Sequence, residues 1–488
     1  MPQKSVNTVV LVSTENFVWH SMQEIIPSLE HLWLQSEQEG LHEVKSVNID
    51  KMPMKEYLPL LFSADNIVIS CFTFKMAQLT KFFRDELCLK ARYIIHLHNQ
   101  ATIACWPFHK FSLGGTLRHD DIFISSCSRD QSTFLLGFEN ARVECIPFTF
   151  NKGMAPNEVR SAVKGVDKDF VYIGRLSVQK NLHTLLWAYS IFLKSRSAYR
   201  GKLVFIGGED NLGSPNMDMK SSGYLNYLEH LVQIFSLKDK VEFSGHMQRE
   251  ELYTRLEAQD YVFVSPSLHS DENFGMAAFR ALVEGRNAVL TDWGGHTDYV
   301  SPFKGQVELV SVYGEQKGPW ISPYELARSL EKALSINSST YNLPNCYRPE
   351  EISQKYGSIA LKDETISEPL KRSDLSEKIL KARELYSTSS ATKIFASYED
   401  SNVQPFFCGY GMTDLGDHKS SVHWIAAPWV TESDGKWTIQ DIHRGDFSFE
   451  SHKSADSVEI TMFNGTQKLI DSSLFKSFQK NGWIVAEL

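Results

Sequence analysis

The sequence predicts an α/β protein with two doubly wound domains. Short apolar runs alternate with longer amphipathic runs twice along the chain, once before residue 150 and again from residue 169 onward. Strands and helices that alternate in this way form parallel sheets covered on both faces. The 488 residues suffice for two or three domains, each with its own core.

Composition narrows the function classes. The chain has 50 basic and 59 acidic residues, a net charge of −9 that argues against nucleic acid as a partner. Its seven cysteines occur singly and without a CxxC pair, which favours a reducing compartment and disfavours structural zinc. No apolar run reaches membrane-spanning length, and Thr8–Val12 is too short for a signal-peptide core. These features predict a cytoplasmic protein.

The first predicted domain covers residues 1–150. Its strands are expected at Thr8–Ser13, Glu43–Ile49, Asn66–Cys71, Arg92–His98, Asp121–Ser126 and Arg142–Ile146. Its helices are expected at Trp19–Leu34, Phe74–Leu87 and Arg129–Leu136. Ligands of such sheets bind beyond the carboxyl ends of the strands. His96 and His98 lie at that edge after the fourth strand, so both are candidates for a site.

A polar segment, residues 148–168, separates this domain from the second one and is interpreted as a linker. The second predicted domain covers residues 169–340. Its strands are expected at Asp169–Ile173, Lys202–Ile206, Val241–Phe243, Tyr261–Val264 and Ala288–Thr291. Its helices are expected at Leu182–Leu193, Tyr224–Phe235, Glu250–Leu256, Met276–Val283 and Pro323–Leu334. Two such domains joined by a hinge predict a ligand cleft where their strand ends face each other.

Two features of the second domain suit a phosphate ligand. Arg175 and Lys180 follow its first strand, and both side chains can converge at the strand end to neutralise a diphosphate. Gly275 opens a helix after the acidic pair Asp271 and Glu272, where free N–H groups and the helix dipole favour an anion. Solvated surface charges are the alternative explanation for either cation alone.

The motifs in this region resemble those of glycosyltransferase family 4, the retaining enzymes with the GT-B architecture of two facing Rossmann-like domains. The matching segments occur in the family's order and are GRLSVQKN (Gly174–Asn181), LVFIGGED (Leu203–Asp210), VEFSGHM (Val241–Met247), SPSLHSDENFGMAAFRALVEG (Ser265–Gly285) and TDWGGHTDYV (Thr291–Val300). The first domain matches mainly through RYIIHLHNQ. The resemblance makes residues 1–150 the acceptor side and residues 169–340 the nucleotide-sugar donor side.

The resemblance also implies roles for individual residues. It implies that Arg175 and Lys180 bind the donor diphosphate and that Glu272 binds hydroxyls of the donor sugar. His98 matches a histidine near the transferred sugar, although His96 has the same strand-alternate direction. The remaining donor-binding residues it implies are Gly245, His246 and Met247 at the base, Asn273, Phe274, Gly275 and Met276 at the sugar and phosphate, and Gly294 and Gly295 beside the sugar. For the turn of Trp293, Gly294 and Gly295, an ordinary turn with Trp293 in the core is the alternative. Arg280 is a further donor-binding candidate, through a phosphate contact.

Such residues support retaining transfer at the front face of the sugar. The two cations and a helix N-terminus stabilise the leaving diphosphate, whose oxygen takes the acceptor's proton. We therefore expect no cofactor and no metal. Asp120-Asp121 and Glu209-Asp210 are interpreted as solvated loop residues rather than metal motifs. The expected partners are a nucleotide sugar and a glycan, lipid-linked or protein acceptor; the oligomeric state is left open.

One position departs from the family's pattern. The family usually has a second glutamate, eight residues after the first, that binds the ribose, and this chain has Arg280 there. Arginine cannot accept hydrogen bonds from ribose hydroxyls, although it can add a phosphate contact. Glu284 lies one helical turn further on, about 6 Å along the axis. The glycine pair often found in the family's first loop is also missing from Ser13–Trp19.

The sequence after residue 340 predicts a loop and closing helices over residues 341–400. It then predicts a small α+β appendage over residues 404–488. A polar segment, residues 335–373, is expected to be a loop, and Asp374–Tyr386 is expected to be a helix. The appendage strands are expected at Trp424–Ala426, Trp437–Ile439, Phe447–Phe449 and Val458–Phe463, before a helix at Ser473–Gln479 and a last strand near residues 482–485. Two hypotheses for this appendage are that it recognises an acceptor or a partner, or that its role is purely structural.

Three functional hypotheses follow. The first is a sugar transferase, and the second is a noncatalytic relative that serves as a binding subunit of a glycosylation complex. The third, a GT-B enzyme of another class such as an epimerase, fits the motifs less well. A peripheral membrane contact through the basic helix that includes Lys75, Lys81 and Arg84 is a further hypothesis, against the simpler interpretation as a surface helix.

Overall fold

The computed structural model describes residues 5–15, 20–98, 113–150, 168–209, 223–257, 260–269, 272–314, 319–336, 341–362, 368–378, 404–413, 423–441, 445–450 and 456–487. Contacts divide the chain into one unit of residues 1–158, 271–283 and 341–382 and another of residues 159–270, 284–340 and 383–488. Each unit contains a six-stranded parallel sheet of its own. The predicted α/β class with Rossmann-like domains is therefore confirmed, while the exact domain boundaries stay a prediction.

The sheet of the first unit has the strand order β2-β1-β3-β4-β5-β6. Its strands are β1 (Val6–Val12), β2 (His42–Asn48), β3 (Asn66–Ile69), β4 (Arg92–His96), β5 (Ile122–Ser125) and β6 (Arg142–Cys145). All neighbours pair in parallel. The central strands are buried along their length, which explains why they appear in the sequence as continuous apolar runs.

The first unit also contains helices. Numbered in chain order, they are α1 (His20–Gln35), α2 (Met54–Ser63), α3 (Phe74–Lys81), α4 (Ser128–Gly137), α8 (Met276–Val283) and α10 (Pro349–Leu361). The predicted helix Phe74–Leu87 ends as an α-helix at Lys81 and continues as a π-helical turn, Phe82–Glu86, in which Leu87 N–H donates to the Phe82 carbonyl at 3.1 Å. Of the predicted helix Asp374–Tyr386, residues 374–378 are helical and the rest lies outside the described residues.

The prediction of a loop over residues 335–373 was wrong at α10. This segment contains three prolines, which suggested a breaker. Pro349, however, is the first residue of the helix, a position that needs no N–H donor and suits the fixed φ of proline. Two glutamates in the first turn, Glu350 and Glu351, stabilise the helix because their negative charges interact favourably with the helix dipole.

The sheet of the second unit has the order β12-β11-β10-β7-β8-β9, again parallel. Its strands are β7 (Asp169–Ile173), β8 (Leu203–Ile206), β9 (Val241–Phe243), β10 (Tyr261–Ser265), β11 (Asn287–Thr291) and β12 (Val307–Val310). The helices of this unit that accompany the sheet are α5 (Leu182–Ser195), α6 (Tyr224–Ile234), α7 (Arg249–Glu257) and α9 (Pro323–Ser335). Strands β7 and β10 are neighbours, which brings the loops that follow them to one edge.

The C-terminal segment belongs to the second unit. It begins with α11 (Gln404–Tyr410) and β15 (Met412–Thr413), and β15 pairs with β13 (Val312–Tyr313), which also pairs with β14 (Trp320–Ile321). Two further sheets have the orders β21-β20-β16-β22 and β17-β18-β19. Their strands are β16 (His423–Ala426), β17 (Val430–Ser433), β18 (Lys436–Asp441), β19 (Gly445–Glu450), β20 (Ser457–Thr461), β21 (Gln467–Asp471) and β22 (Ile484–Glu487), with α12 (Ser472–Lys480) before the last strand.

The predicted α+β character of this appendage is confirmed, and its core is aromatic. Trp424, Trp437, Phe478 and Trp483 are buried together in one cluster. Trp187 of α5 belongs to the same cluster, so the appendage packs onto the second unit's Rossmann-like part. Among the described helices of the chain, none is long and apolar enough to cross a membrane.

Candidate functional site

The loops at the carboxyl edge of the second sheet are joined by backbone hydrogen bonds in which glycines take part. Gly174 N–H donates to the Ile206 carbonyl at 3.0 Å, and Gly207 N–H donates to the Gly245 carbonyl at 2.8 Å. Gly207 has a φ of +152°, and a Cβ there would lie 1.8 Å from the Gly174 carbonyl oxygen. A side chain cannot fit, so glycine at this position is a requirement of the close approach between the β7 and β8 loops.

Arg175 and Lys180 lie on the loop that follows β7, and both are half-buried. The Arg175 carbonyl accepts a hydrogen bond from the Tyr172 hydroxyl at 2.7 Å. Lys180 ends a short 3₁₀ turn, Val178–Lys180, and its Nζ lies 3.3 Å from Ser267 Oγ. Because Ser267 follows β10, this contact joins the loops of the two neighbouring strands β7 and β10.

Ser267 is fully buried and is the centre of a small hydrogen-bond network. Its hydroxyl oxygen also accepts from the His269 N–H at 3.2 Å, and its carbonyl accepts from Thr291 Oγ1 at 2.7 Å. Leu268 N–H donates to the Gln179 carbonyl at 2.9 Å, in the turn that holds Lys180. The loop after β10 is therefore attached both to the β7 loop and to the end of β11. Sequence reasoning missed Ser267 because its role depends on which strands are neighbours.

The Trp-Gly-Gly turn lies beside this network. Trp293 is fully buried, and its indole N–H donates to the His269 carbonyl at 2.7 Å. The indole packs against two rings of α11, with centroid distances of 6.1 Å to Phe407 and 5.1 Å to Tyr410. Trp293 is therefore a core residue, as one of its two interpretations predicted. Gly294 and Gly295 are buried and begin a 3₁₀ turn, Gly294–Tyr299.

The loop predicted to meet the nucleotide base follows β9. Gly245 and His246 are exposed and Met247 is half-buried. Gly245 has a φ of +71° with open space around its Cβ direction, and His246 packs beside Gly208 of the β8 loop. Contact of this loop with a base stays a prediction.

Glu209 serves as a helix cap. Its Oε1 accepts from Gly223 N–H at 2.8 Å and from Leu225 N–H at 3.3 Å, at the start of α6. A carboxylate in this place satisfies free N–H groups and suits the helix dipole. Asp210 lies outside the described residues. In the described part of the chain, no cluster of three or more His, Cys, Asp and Glu side chains is arranged to hold a metal ion.

The segment from Glu272 to Arg280 belongs to the first unit by its contacts. Glu272 is 8% exposed, and the Asn273 carbonyl accepts from Ser126 Oγ at 3.3 Å. Phe274 is buried against Phe148, at 5.4 Å between ring centroids. Gly275 has a φ of +76° and precedes α8, as the motif predicted. Met276 is half-buried at the first position of that helix. Asp271 lies outside the described residues.

Arg280 and Glu284, the two residues at the departure from the family pattern, have different surroundings. The Arg280 guanidinium lies 4.9 Å from the centre of the Phe150 ring, and the residue is 8% exposed. Glu284 Oε2 accepts from the Tyr261 hydroxyl at 3.4 Å. Tyr261 is the first residue of β10, whereas Ser267 follows its last residue. Glu284 is thus attached to the amino end of β10, opposite the edge that carries Lys180.

The two candidate histidines also differ. His96 is a core residue: its Nε2 accepts from the Trp33 indole N–H at 2.9 Å, and it lies 5.4 Å from the Tyr356 ring. His98 Nε2 lies 2.6 Å from the Ser70 carbonyl, which follows β3, and its ring stacks on Phe148 at 5.4 Å. Burial lowers the pKa of His98 to about 4, although the hydrogen bond to Ser70 opposes this, so His98 is neutral at pH 7.

The predicted site residues thus fall into two sets. His98, Glu272, Asn273, Phe274, Gly275, Met276 and Arg280 belong to the first unit. Arg175, Lys180, Gly245, His246, Met247, Gly294 and Gly295 belong to the second unit, at or near the carboxyl edge of its sheet. Within the second set, the structure joins the loops of β7, β8, β9 and β10 by direct hydrogen bonds.

The basic residues near α3 are mostly engaged within the first unit. Lys75 and Lys81 pair with Asp50 and Asp85. Arg84 is buried in an ion pair with Asp121. The prediction of a solvated loop was therefore wrong at Asp121, whose carboxylate is fully buried because it binds this guanidinium. These contacts favour the interpretation of α3 as an ordinary surface helix.

Comparison with known proteins identifies the part of the chain that carries the β7 to β12 loops. Residues 156–343 match the family model described as glycosyl transferases group 1. This segment is thus similar to glycosyl transferases group 1. It contains Arg175, Lys180, Ser267 and the Trp-Gly-Gly turn.

One curated protein similar to this chain is mannosylfructose-phosphate synthase of Agrobacterium fabrum. It is 35% identical over 123 residues, which are 25% of this chain and 25% of that enzyme. The chain thus spans about a quarter of the length of the curated relative that it matches.

Solved structures similar to the chain include Anabaena HepE in complex with UDP and glucose, which is 13% identical, with 79% of this chain and 100% of that chain covered and a TM-score of 0.44. Another is an E. coli structure described as trehalose-6-phosphate bound with UDP-2-fluoro glucose, which is 12% identical, with 82% and 99% covered and a TM-score of 0.47.

Proposed function

We propose that the protein is a retaining, metal-independent glycosyltransferase that moves a sugar from a nucleotide-diphosphate donor to a hydroxyl acceptor. The similarity of residues 156–343 to glycosyl transferases group 1 supports the reaction class. The observation that carries the proposal further is the position of Lys180. Its Nζ is fixed at 3.3 Å from Ser267 Oγ beyond the carboxyl ends of β7 and β10, where parallel sheets bind ligands.

Arg175 and Lys180 are proposed to bind the donor diphosphate. Two basic side chains on one strand-end loop can neutralise the charge that grows on this group as it departs. The glycine contacts at Gly174, Gly207 and Gly245 add to the proposal, because they let backbone rather than side chains line the adjacent loops. Glu272 is proposed to bind hydroxyls of the donor sugar, and the loop at His246 is proposed to meet the base.

In the proposed reaction, the bond between the anomeric carbon and the diphosphate oxygen breaks, and its electron pair leaves with the diphosphate. A new bond forms from the acceptor oxygen to the same face of the anomeric carbon. The acceptor's proton passes to an oxygen of the departing diphosphate, so no protein base has to take it. The neutral state of His98 at pH 7 suits a hydrogen-bonding role near the sugar better than that of a charged group.

A noncatalytic binding subunit is the second candidate function. Arg280 favours it, because this residue stacks on Phe150 where the family usually has a ribose-binding glutamate, and Glu284 is held at the other end of β10. A subunit of this kind would bind a nucleotide sugar, or its partner, without turnover. The acceptor of an active enzyme is proposed to be a glycan, a lipid-linked glycan or a protein.

Release of nucleoside diphosphate from a panel of nucleotide sugars, with and without acceptors, tests the proposal. We expect turnover of at least one donor by the full chain, and its loss when Arg175 and Lys180 are both changed to Ala. The matched control changes Lys194 and Arg196 to Ala, because these are also one lysine and one arginine of the second unit but are exposed on the surface. Binding without release supports the subunit; equal activity of the two double variants contradicts the diphosphate assignment.

A further inference from the structure

The C-terminal segment is connected to Lys180 by an unbroken series of contacts. Phe407 and Tyr410 of α11 enclose the Trp293 indole, with ring planes at 19° and 81° to it. The indole N–H donates to the His269 carbonyl at 2.7 Å, and His269 N–H donates to Ser267 Oγ at 3.2 Å. Ser267 Oγ in turn lies 3.3 Å from Lys180 Nζ.

The loop that this series holds has no regular secondary structure. Residues 266–269 leave β10 and are neither helix nor strand, so their conformation depends on bonds from elsewhere. Lysine has a long flexible side chain whose immobilisation costs conformational entropy, and a fixed partner is needed to keep its amine in one place. Ser267 is 0% exposed, which makes its hydroxyl a fixed partner as long as the loop is held.

We propose that Trp293 is a positioning residue for Lys180, and that α11 holds Trp293 in place. The inference rests on the proposed function for the role of Lys180 in diphosphate binding, but the positioning itself is a property of the free protein. It gives the C-terminal segment a role: its first helix supports the donor loops of the second unit. The acceptor and partner hypotheses for this segment are not needed to explain α11.

The reactivity of Lys180 measures its positioning without any ligand. The protein is treated briefly with an acetylating reagent, and the acetylation rate of each lysine is followed by peptide mass spectrometry. A change of Trp293 to Phe keeps an aromatic ring but removes the N–H donor. We expect Lys180 to react about fivefold faster in this variant. A factor of this size corresponds to the loss of one hydrogen bond, here the one that holds the loop of Ser267. An exposed lysine, Lys194, serves as the internal reference and is expected to be unchanged.

Matched variants separate positioning from general destabilisation. Trp437→Phe makes the same change in the appendage core, away from Ser267, and is expected to leave Lys180 at its wild-type rate. Phe407→Ala is expected to act like Trp293→Phe, whereas Phe478→Ala, another buried phenylalanine, is not. An unchanged Lys180 rate in Trp293→Phe, or an equal increase in Trp437→Phe, would overturn the proposal.

Binding of UDP, GDP and inorganic pyrophosphate by calorimetry supplies the second arm. Where the wild type binds a probe, Trp293→Phe should weaken binding about fivefold, and this loss should disappear in a Lys180→Ala background because the two residues act through one contact. Full additivity of the two changes contradicts the positioning role. If the wild type binds no probe while Lys180 still reacts faster in Trp293→Phe, the proposed function fails and the positioning stands.

Discussion

Lys75 Nζ donates to Asp50 Oδ1 at 2.8 Å beyond the carboxyl ends of the first unit's strands. Burial by itself raises the pKa of Asp50, but hydrogen bonds from Lys75, the Thr14 N–H and the Ser13 hydroxyl outweigh it and lower the pKa to about 2. The ionised carboxylate is therefore the form that the folded protein favours.

This pair predicts a loss of stability in acid. The ordinary pKa of Asp50 is 3.8, so its contribution is present above about pH 4 and disappears as the pH falls to 2. Asp50→Asn should remove about 1 to 2 kcal/mol of stability at pH 6, allowing for solvent screening, and should flatten the profile between pH 4 and 2. Urea unfolding of both proteins between pH 6 and 2 measures the free energy of unfolding. Asp239→Asn, at an exposed carboxylate, should keep the wild-type slope.

The two buried histidines predict a second dependence at higher pH. Burial lowers the pKa of His98 to about 4 and holds that of His96 well below 6.5. Below pH 6.5 the unfolded chain takes up protons that the folded protein cannot, so stability falls as the pH decreases from 6.5 to about 4. The slope of the unfolding free energy against pH is proportional to the number of protons taken up on unfolding. His98→Gln should reduce this number by about one near pH 5. The same slope in His98→Gln and wild type would contradict the buried neutral state; His230→Gln, at an exposed histidine, is the control.

The ion pair of Arg84 and Asp121 predicts a large difference between two aspartates. Arg84 donates to both carboxylate oxygens of Asp121, at 2.7 and 3.0 Å, with the two side chains 3% and 0% exposed. Asp121→Ala leaves a buried guanidinium unpaired and should cost about 3 to 5 kcal/mol. Asp85→Ala removes the partner of the surface residue Lys81 and should cost less than about 1 kcal/mol. Chemical denaturation compares them, and equal losses would show that burial of the pair is unimportant.

Two glycines with positive φ should respond differently to alanine. At Gly207 a Cβ would lie 1.8 Å from the Gly174 carbonyl oxygen, whereas at Gly245 there is nothing within 4 Å. Gly245→Ala should cost only the strain of its φ, about 1 kcal/mol. Gly207→Ala must push the β7 and β8 loops apart, so we expect a loss of more than about 3 kcal/mol or failure to fold. Thermal unfolding of the two variants provides the measurement, and similar melting temperatures would refute this description of the loop contact.

Glu272 and Glu284 should differ in their effect on activity. If Glu272 binds the donor sugar, Glu272→Gln should lower kcat/KM about a hundredfold while the fold is kept. Glu284 is held by Tyr261 at the amino end of β10, so Glu284→Gln should stay within about twofold of the wild type. Steady-state kinetics with the best donor of the panel, together with circular dichroism, distinguish them. A loss in Glu284→Gln as large as that in Glu272→Gln would place the ribose contact at Glu284 after all.

Strands were the most predictable part of the fold, because buried parallel strands such as β3 and β10 leave continuous apolar runs in the sequence. Helix α2 escaped prediction: its sequence has Pro59 inside and few apolar residues in its first turn. Helix α10 was mistaken for loop because Pro349 was interpreted as a breaker instead of a first-turn residue. Local sequence patterns therefore predicted the two parallel sheets, but they did not predict helices α2 and α10.

For the candidate site, the motif GRLSVQKN was sufficient to place Arg175 and Lys180 at a strand end. Their surroundings were not predictable, because Lys180 and Ser267 are 87 residues apart and meet only through the pairing of β7 with β10. The core position of Trp293 depends likewise on α11, more than a hundred residues later. Sequence patterns identify residue types and local positions, whereas partners across the sheet follow from strand order.

The C-terminal end of α10 shows how late in synthesis the first unit becomes complete. Arg92 donates to the carbonyl oxygens of Ile359, Ala360 and Lys362 at 2.7 to 3.0 Å, and Lys362 lies 270 residues further along the chain. At about 5 to 20 residues per second, a ribosome needs roughly 14 to 54 seconds to translate that interval. Until then Arg92 lacks these three carbonyl acceptors and keeps only such earlier contacts as that of its Nε with Asn66 Oδ1 at 3.0 Å. We therefore expect the first unit to be completed only after the sheet of the second unit has been synthesised.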